Sequence, residues 1–430
     1  MKNINIAIAG LGTVGSNLIN YINKNKKFIF SKSGIDFNII AISALNKNKK
    51  RLFDITEYIW EDNPIDLLNH KIDVLIELIG EEKGISFELI KSALNKKIHV
   101  ITANKALLAK EGNELFVLAN KNKIMLLFEA AVAGGIPIIK ILHQSINLHK
   151  ISKISGILNG TTNYILSEMN NKNIEFKDAL KEAQNLGFAE LNPKNDIEGI
   201  DSAHKLTLLC VLCFGSTFNF NFINYRGISN LSVQDLKFAN KLGYKIKLIS
   251  KAEKFQDKIL ATVEPMLIKN DSKLANVNGV FNGIEIVTDQ LETLFLEGEG
   301  AGGIPTASSI ISDLTMIADL KNNDLQTIDI NKLNHYDFLD YNNQNSSFYL
   351  KFIVKDIPGV LAKITTTFNF KDISIETILQ LPDTESEDNN VPVIITTHET
   401  NYKFLSSCIK ELEKSDFLVS KVVILMISKN

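Results

Sequence analysis

Glu190, Asp196, Glu198, Asp201 and Lys205 crowd into residues 187–205. Asn192-Pro193 and Gly199 break the first half of that stretch, as a surface or active-site loop would be broken. The second half runs into Ile200, Ala203, Leu206, Leu209 and Cys210, an apolar face at helical spacing. Asp201 and Lys205 then stand one turn apart on a helix, where an acid and an amine can face the same point. The plain alternative is a solvated loop with a surface ion pair. What decides between them is the company the stretch keeps. Lys105, in Thr102-Ala103-Asn104-Lys105, follows an apolar run and is a candidate to touch cofactor or substrate; otherwise it is an ordinary helix-opening lysine. Glu129 precedes Ala130-Ala131-Val132-Ala133-Gly134-Gly135-Ile136-Pro137, which offers carbonyls to a hard monovalent cation or serves as a hinge, and the residues leave both open.

The elements that must position these groups alternate. Residues 4–9 read as a short apolar strand, followed at once by Gly10-Leu11-Gly12-Thr13-Val14-Gly15 and a helical pattern through Leu18, Ile19 and Ile22. In this strand–turn–helix setting Gly10 permits the tight turn, Gly12 lets backbone N–H groups approach a pyrophosphate, and Gly15 lets helix and strand pack closely. A second strand, 37–43, ends without the carboxylate that would hold a ribose 2′-hydroxyl. Lys47, Lys49, Lys50 and Arg51 come next and suit a 2′-phosphate, so NADP is favoured over NAD. Strands at 72–78, 98–101 and 124–128, with a helix running to Asn95, continue a parallel α/β pattern. Lys105 then lies at a strand's carboxyl end, where open α/β sheets bind ligands.

From about residue 138 the composition changes to a second domain. Residues 151–157 are strand-like and Gly160-Thr161-Thr162-Asn163 opens a helix. Further strands are expected near 259–267 and 284–296, and the glycine-rich loop 297–304 feeds a helix at Pro305. Residues 322–346 are Asn-rich and read as a linker. Beyond it Phe348, Leu350, Phe352 and Val354 alternate on one strand face. A helix through Val360, Leu361, Ile364 and Phe368, strands 373–379 and 391–397, a helix from Tyr402 and a last strand at 419–427 complete a ferredoxin-like βαββαβ pattern. The acidic run 383–388 reads as a solvated loop in its hairpin.

At 430 residues the chain should form two or three domains, and 45% hydrophobic with 22% charged residues is ordinary for a globular protein. A net charge of −2 gives no electrostatic case for nucleic acid or an anionic membrane. No signal peptide is legible, and the longest clean apolar run, 206–214, is far short of a membrane span, so a cytoplasmic protein is expected. Three cysteines make no disulfide framework, and Cys210 and Cys213 read as helix core rather than a redox or metal pair. The seven histidines show no metal spacing, and His204 reads as structural.

Together these motifs resemble the homoserine dehydrogenases, of the monofunctional bacterial type with a C-terminal ACT domain, over essentially the whole length. The likeness rests on Gly10-x-Gly12-Thr13-Val14-Gly15, on 102–108, on Gly156-Ile157-Leu158-Asn159-Gly160-Thr161-Thr162-Asn163-Tyr164, on 196–201 with Lys205, and on Pro305-Thr306-Ala307-Ser308. It implies hydride transfer between L-homoserine and L-aspartate 4-semialdehyde using NADP or NAD. By that likeness Glu190 holds the substrate's amino group beside the nicotinamide, Asp201 lines the pocket, and Lys205 is the acid–base group with Lys105 as its partner. Gly10, Leu11, Gly12, Thr13, Val14, Gly15, Gly187 and Gly302 contact the cofactor, with Lys105 and Glu190 against it. Glu129 and the main chain of Val132, Gly134 and Ile136 bind sodium. Threonine feedback through the ACT module and a homodimer or homotetramer are also implied. Two lysines held close in a dry pocket should depress each other's pKa.

The expected organisation is a Rossmann-type nucleotide-binding domain at 1–135, an α+β substrate domain at 136–322, a linker at 323–346 and the ACT domain at 347–430. A helix at about 305–320 is expected to return to the first domain. Three departures from the family pattern stand out: Asn192 where an aspartate is usual, Glu81 after Gly80 where a glycine is usual, and Ser43-Ala44 in place of a frequent Arg-Asp. A semialdehyde dehydrogenase would need a loop-borne cysteine nucleophile, and none is present. An amino-acid sensor on a catalytically weakened body is the alternative, opposed by the joint presence of Glu190, Asp201, Lys105 and Lys205. With the first strand at its start, no fused kinase is expected.

Overall fold

The structure, a computed structural model, describes residues 2–319, 328–380 and 390–428. The first unit is a sheet of six parallel strands: β1 (Lys2–Ala9), β2 (Ile35–Ser43), β3 (Ile59–Glu61), β4 (Val74–Glu77), β5 (His99–Thr102) and β6 (Leu126–Leu127). Helices α1 (Thr13–Ser33), α2 (Ile85–Asn95) and α3 (Lys105–Asn122) connect them. The spatial order β3-β2-β1-β4-β5-β6 reverses direction between β1 and β4. That crevice, at the carboxyl ends of the strands, is where such sheets take ligands. β4 and the end of β1 are buried along their length, as strands covered on both faces must be. The strand expected at 124–128 shrinks to two residues, because Ile124 N–H still bonds to the Ala119 carbonyl at the end of α3 and Glu129–Ala131 coils into a short 3-10 turn.

After α4 (Ile138–Lys140), the chain builds β7 (Ile151–Ile157), α5 (Gly160–Lys172), α6 (Phe176–Asn185), α7 (Lys194–Ile197) and α8 (Ile200–Phe214). Then come β8 (Asn224–Tyr225), α9 (Val233–Lys241), β9 (Tyr244–Phe255), β10 (Lys258–Lys269), β11 (Phe281–Thr288), β12 (Glu292–Glu299) and α10 (Gly303–Ala318). β12-β11-β7-β9-β10 form an antiparallel run. Sequence reading missed β9, whose alternating Ile246, Leu248 and Ser250 carry the register of its neighbours. α8 is buried on nearly every side, which explains its unbroken apolar run, and left-handed Gly199 and Gly215 bound it. It packs against α3, while α10 lies against α1.

The C-terminal segment adds β13 (Asp337–Phe338), β14 (Asn345–Lys355), α11 (Val360–Asn369), β15 (Ile375–Gln380), β16 (Asn390–Thr397), β17 (Thr400–Asn401), α12 (Tyr402–Leu412) and β18 (Val423–Ile427). The order β18-β14-β16-β15 is that of a βαββαβ unit. β18 also pairs in parallel with β10, Met266 facing Met426, so this sheet continues the second one. The acidic run 383–388 and linker residues 322–327 lie outside the described residues. No helix among the described residues is long and apolar enough to cross a membrane.

A buried ion pair pins the C-terminal unit to α9. Lys351 Nζ lies 2.8 Å from Asp235 Oδ1 and donates to Ser232 Oγ at 3.0 Å, with Lys351 7% and Asp235 0% exposed. Removing one partner strands a buried charge, so Lys351→Met should destabilise the protein by about 3–5 kcal/mol. Urea unfolding checks this, and a change within ~0.5 kcal/mol, typical of a surface site, would contradict it.

Candidate active site

The nucleotide crevice is shaped by its glycines. Gly10 has φ +102° and a Cβ there would lie 2.4 Å from the Leu78 carbonyl oxygen, while a Cβ at Gly15 would lie 2.1 Å from that of Gly10. Around Gly12 nothing approaches, which leaves that side of the turn open to a ligand at the N-terminus of α1. A cleft of about 760 Å³ runs from Gly10 and Gly12 past Ser43, Lys49 and Arg51 to Glu81. The second glycine loop meets this wall: a Cβ at Gly303 would lie 2.2 Å from Asn17 Nδ2 and 3.2 Å from Thr13 Cγ2. Gly302, at φ +125°, thus sits one residue from α1, and Gly187 is left-handed and open. These residues and this space fit a dinucleotide.

Of the cations after β2, Arg51 folds its own loop, donating to the carbonyls of Asn46, Lys47 and Lys49 at 2.5, 3.0 and 2.9 Å. Lys47 and Arg51 both lie over the Trp60 ring. Lys49 lines the cleft.

Across the crevice α3 and α8 bring Lys105, Asp201 and Lys205 together. Asn104 caps α3, its Oδ1 accepting from Leu107 N–H at 3.1 Å, which sets Lys105 at the first helical position. Lys105 Nζ lies 3.4 Å from Asp201 Oδ1 and Lys205 Nζ 2.7 Å from Asp201 Oδ2. Lys205 Nζ also donates to the Leu158 carbonyl at 2.7 Å. The next residue, Asn159, caps α5 and donates through Nδ2 to Asp196 Oδ1 at 2.7 Å and Asp201 Oδ2 at 2.9 Å. Glu190 stands exposed on the adjoining loop, tied there by Gln184 Nε2 to its carbonyl at 3.0 Å. Its charge, with those of Asp201 and Asp196, acts on Lys105.

At Lys105 the electrostatics run against the expected depression. Asp201 stands between the two ammoniums and raises the Lys105 pKa, with burial opposing it. Burial would raise Asp201 itself, but Lys205 and Lys105, with hydrogen bonds from Lys205 and Asn159, hold it well below the carboxylate range. Asp196 is pushed up by burial and then by the Asp201 charge. His204 is buried against Phe220, ring centroids 4.5 Å apart, and burial drives it down to about 4, so it stays neutral. Burial pushes the Cys210 thiol up to about 12 and Cys213 well up too, which leaves neither as a thiolate nucleophile.

At the hinge, Glu129 is 1% exposed and its carboxylate accepts the Ile139 and Lys140 N–H groups, both at 3.0 Å, while its own N–H donates to Asp313 Oδ2 at 3.0 Å. Burial, reinforced by the Asp313 charge, pushes Glu129 up to about 7, and burial pushes Asp313 up to about 7 against nearby Lys140. Two carboxylates thus share one ammonium. Ala133 and Gly134 are both left-handed, and the Gly134 carbonyl accepts from Ser309 Oγ at 2.6 Å. This oxygen-rich, anion-surplus turn fits a hard monovalent cation.

Sequence reading missed Glu77 and Asp313, and quoted Asn159 in a motif without giving it a role. Glu77 Oε1 accepts the Ile79 and Gly80 N–H groups and Ser86 Oγ, and its Oε2 accepts Thr102 Oγ1, shaping the turn after β4. A lone carboxylate inside the apolar run 74–79 was the available signal. Of the departures, Asn192 Oδ1 accepts Lys194 N–H at 3.4 Å, an asparagine turn, and Glu81 is exposed at the cleft, its carbonyl accepting Asn104 Nδ2 at 2.7 Å.

Asp201 ionises more readily folded than unfolded, so its stabilising contribution is present above the ordinary carboxylate range and is lost as pH falls through its folded value. Asp201→Asn should therefore cost about 3–5 kcal/mol near neutral pH, and the deficit should shrink below pH ~4. Unfolding free energies from pH 3 to 8 test this; a pH-independent deficit would contradict it.

The comparisons with known proteins agree with this geometry. Residues 137–315 match the family described as homoserine dehydrogenase, and residues 10–129 match its NAD binding domain. The chain is 39% identical to a homoserine dehydrogenase of Neisseria gonorrhoeae, over 97% of this chain and 96% of that protein. The crystal structure of a homoserine dehydrogenase from Thiobacillus denitrificans superposes with a TM-score of 0.92 at 36% identity, covering 100% of this chain and 99% of that one. A hyperthermophilic archaeal homoserine dehydrogenase in complex with NADPH covers 75% of this chain and all of its own, with a TM-score of 0.64 and 28% identity. With a glycine-lined crevice, a lysine–aspartate–lysine cluster, and relatives over nearly its full length, the chain belongs to the homoserine dehydrogenase family.

Proposed function

We propose that the chain interconverts L-homoserine and L-aspartate 4-semialdehyde, on the way to threonine, methionine and isoleucine, with NADP preferred over NAD. The observation that carries this reading is Asp201 held between Lys105 and Lys205, with Asn104, next to Lys105, bonded to the carbonyl of cleft residue Glu81. The bound nicotinamide supplies the hydride acceptor in oxidation and the donor in reduction. Lys205 Nζ, as the neutral amine, takes the hydroxyl proton as the alcohol is oxidised and, as the ammonium, returns it in the reverse direction. Lys105, kept charged by Asp201, stabilises negative charge on the same oxygen. Asp201 orients both lysine nitrogens, and Asn159 orients Asp201. Glu190 takes the substrate ammonium, with Asp201 lining the pocket.

Gly10, Leu11, Gly12, Thr13, Val14 and Gly15 would hold the cofactor, together with Gly187, Gly302, Lys105 and Glu190. Lys49, which meets Arg51 only through its backbone carbonyl and lines the cleft, answers the 2′-phosphate; the archaeal relative solved with NADPH supports that preference. Glu129 and the main chain of Val132, Gly134 and Ile136 would hold a sodium ion, whose charge would offset the buried carboxylates. We read the chain as a nucleotide-binding domain at 1–135 to which the helix after Pro305 returns, a substrate domain at 136–322, a linker, and an ACT domain at 347–430. We further infer that the ACT domain responds to threonine and that the enzyme works as a homodimer or homotetramer.

Absorbance at the nicotinamide band with L-homoserine and either NADP or NAD, with and without L-threonine, tests the reading. Turnover is expected, faster at low NADP than at low NAD, and slowed by threonine. Folded protein that turns over neither mixture contradicts it. Lys205→Ala should lower kcat by roughly 10²–10⁴-fold with the fold retained, as loss of a proton-transfer group does. Lys49→Ala should raise KM for NADP by about tenfold, the worth of one hydrogen bond to a charged group, and leave that for NAD unchanged. Equal changes for both nucleotides would remove Lys49 from the 2′-phosphate.

A further inference from the structure

We infer that Arg226 is a positioning residue for the substrate pocket, holding the backbone of residues 226–228 as the anvil against which the active-site turn 197–199 is set. This rests on the homoserine reading above. Glu264, on β10, is 1% exposed. Its Oε2 accepts Arg226 Nε at 3.0 Å, Arg226 Nη2 at 2.6 Å and the Tyr341 hydroxyl at 2.7 Å. Arg226 Nη1 donates to the Ile424 carbonyl of β18 at 2.8 Å, and Arg226 N–H to the Val263 carbonyl of β10 at 2.8 Å. A guanidinium that neutralises a buried carboxylate cannot leave without stranding it, so both the side chain and the backbone of this residue are fixed.

That fixed backbone touches the active-site segment directly. A Cβ on Gly227 would lie 2.0 Å from the Ile197 carbonyl oxygen and 2.5 Å from Glu198 Cα, so the two main chains are in contact with no room for a side chain. Ile228 N–H donates to the Ile197 carbonyl at 2.9 Å, and Ser229 Oγ donates to Glu198 Oε1. A Cβ on Gly199 would lie 3.4 Å from the Arg226 carbonyl oxygen. Asp196 precedes this turn and Asp201 follows it, and one amide, Asn159 Nδ2, holds both carboxylates. A shift at Arg226 is therefore passed through main-chain contact to the two acids and, through α8, to Lys205. Displacements of an ångström at a reacting centre are costly. The nucleotide cleft from Gly10 to Glu81 shares no residue with this clamp, so the cofactor's grip responds less than the substrate's. Because one arm of Arg226 ends on β18, the C-terminal unit bears on the same turn.

Arg226→Met and Arg226→Lys, assayed in the full-length enzyme, separate this role from simple support of the fold. The expected result is a KM for L-homoserine raised roughly fivefold or more in Arg226→Met, with KM for NADP within about twofold of wild type and partial recovery in Arg226→Lys. Tyr341→Phe, which removes one hydroxyl from the same carboxylate, should move the homoserine KM in the same direction by less, and serves if Arg226→Met does not fold. Hydrogen exchange supplies a readout independent of turnover: the Ile228 amide and those of 196–201 should exchange faster in the variants. Unchanged homoserine KM and unchanged exchange at 196–201 overturn the inference. So does a parallel loss for homoserine and NADP that follows the loss of melting temperature. A wild type that turns over no homoserine sinks the functional reading instead, and the exchange comparison still decides the clamp.

Discussion

Asp201 is an anion taken almost out of water, and it is tolerable there only because two ammoniums and an amide converge on it. Much of the architecture follows from that constraint. α8 must be fully buried to carry Asp201 and Lys205 on one turn, α3 must begin where β5 ends to deliver Lys105, and α5 must be capped by Asn159. Each condition needs a different element, so the site lies at the meeting of the parallel sheet and the antiparallel one. The charge balance also bears on the chemistry: Lys105 is kept cationic by the carboxylate, which suits it to stabilise an alkoxide. Lys205, closer to Asp201 and bonded to the Leu158 carbonyl, has its nitrogen fixed in direction.

Much of this was legible in the sequence, and for identifiable reasons. The glycine turn after β1 requires positive φ at Gly10 and no Cβ at Gly15, so composition there reports geometry almost one to one. The i,i+4 spacing of Asp201 and Lys205 on an apolar helix is likewise a local fact. Glu190, by contrast, falls on an exposed loop, where spacing says nothing of direction. Residues whose roles are made by distant partners were not legible. Asn159 meets acids 37 and 42 residues away, and Asp313 meets a hinge 184 residues away. β9 escaped because its polar face, Lys245, Lys247 and Lys251, masks a strand that is mostly buried.

The joining of two sheets through β10 and β18 gives the C-terminal unit a structural hold on the catalytic body. The Lys351–Asp235 pair and the Arg226–Glu264–Tyr341 cluster are both polar, both buried, and both at that seam. Buried polar contacts of this kind add specificity of docking more readily than stability. They fix where the unit sits relative to the turn at 197–199.

The most direct test of the account is the pH dependence of kcat/KM for L-homoserine oxidation in wild type and in Asp201→Asn. Oxidation needs an unprotonated base, so the rate rises with pH through the pKa of the proton-accepting group. Removing the neighbouring anion disfavours the ammonium form of a lysine. The account predicts that the rising limb moves to lower pH in Asp201→Asn, with a reduced maximum. A limb that stays in place, or moves to higher pH, would contradict the assignment of a lysine beside Asp201 as the group that takes the proton.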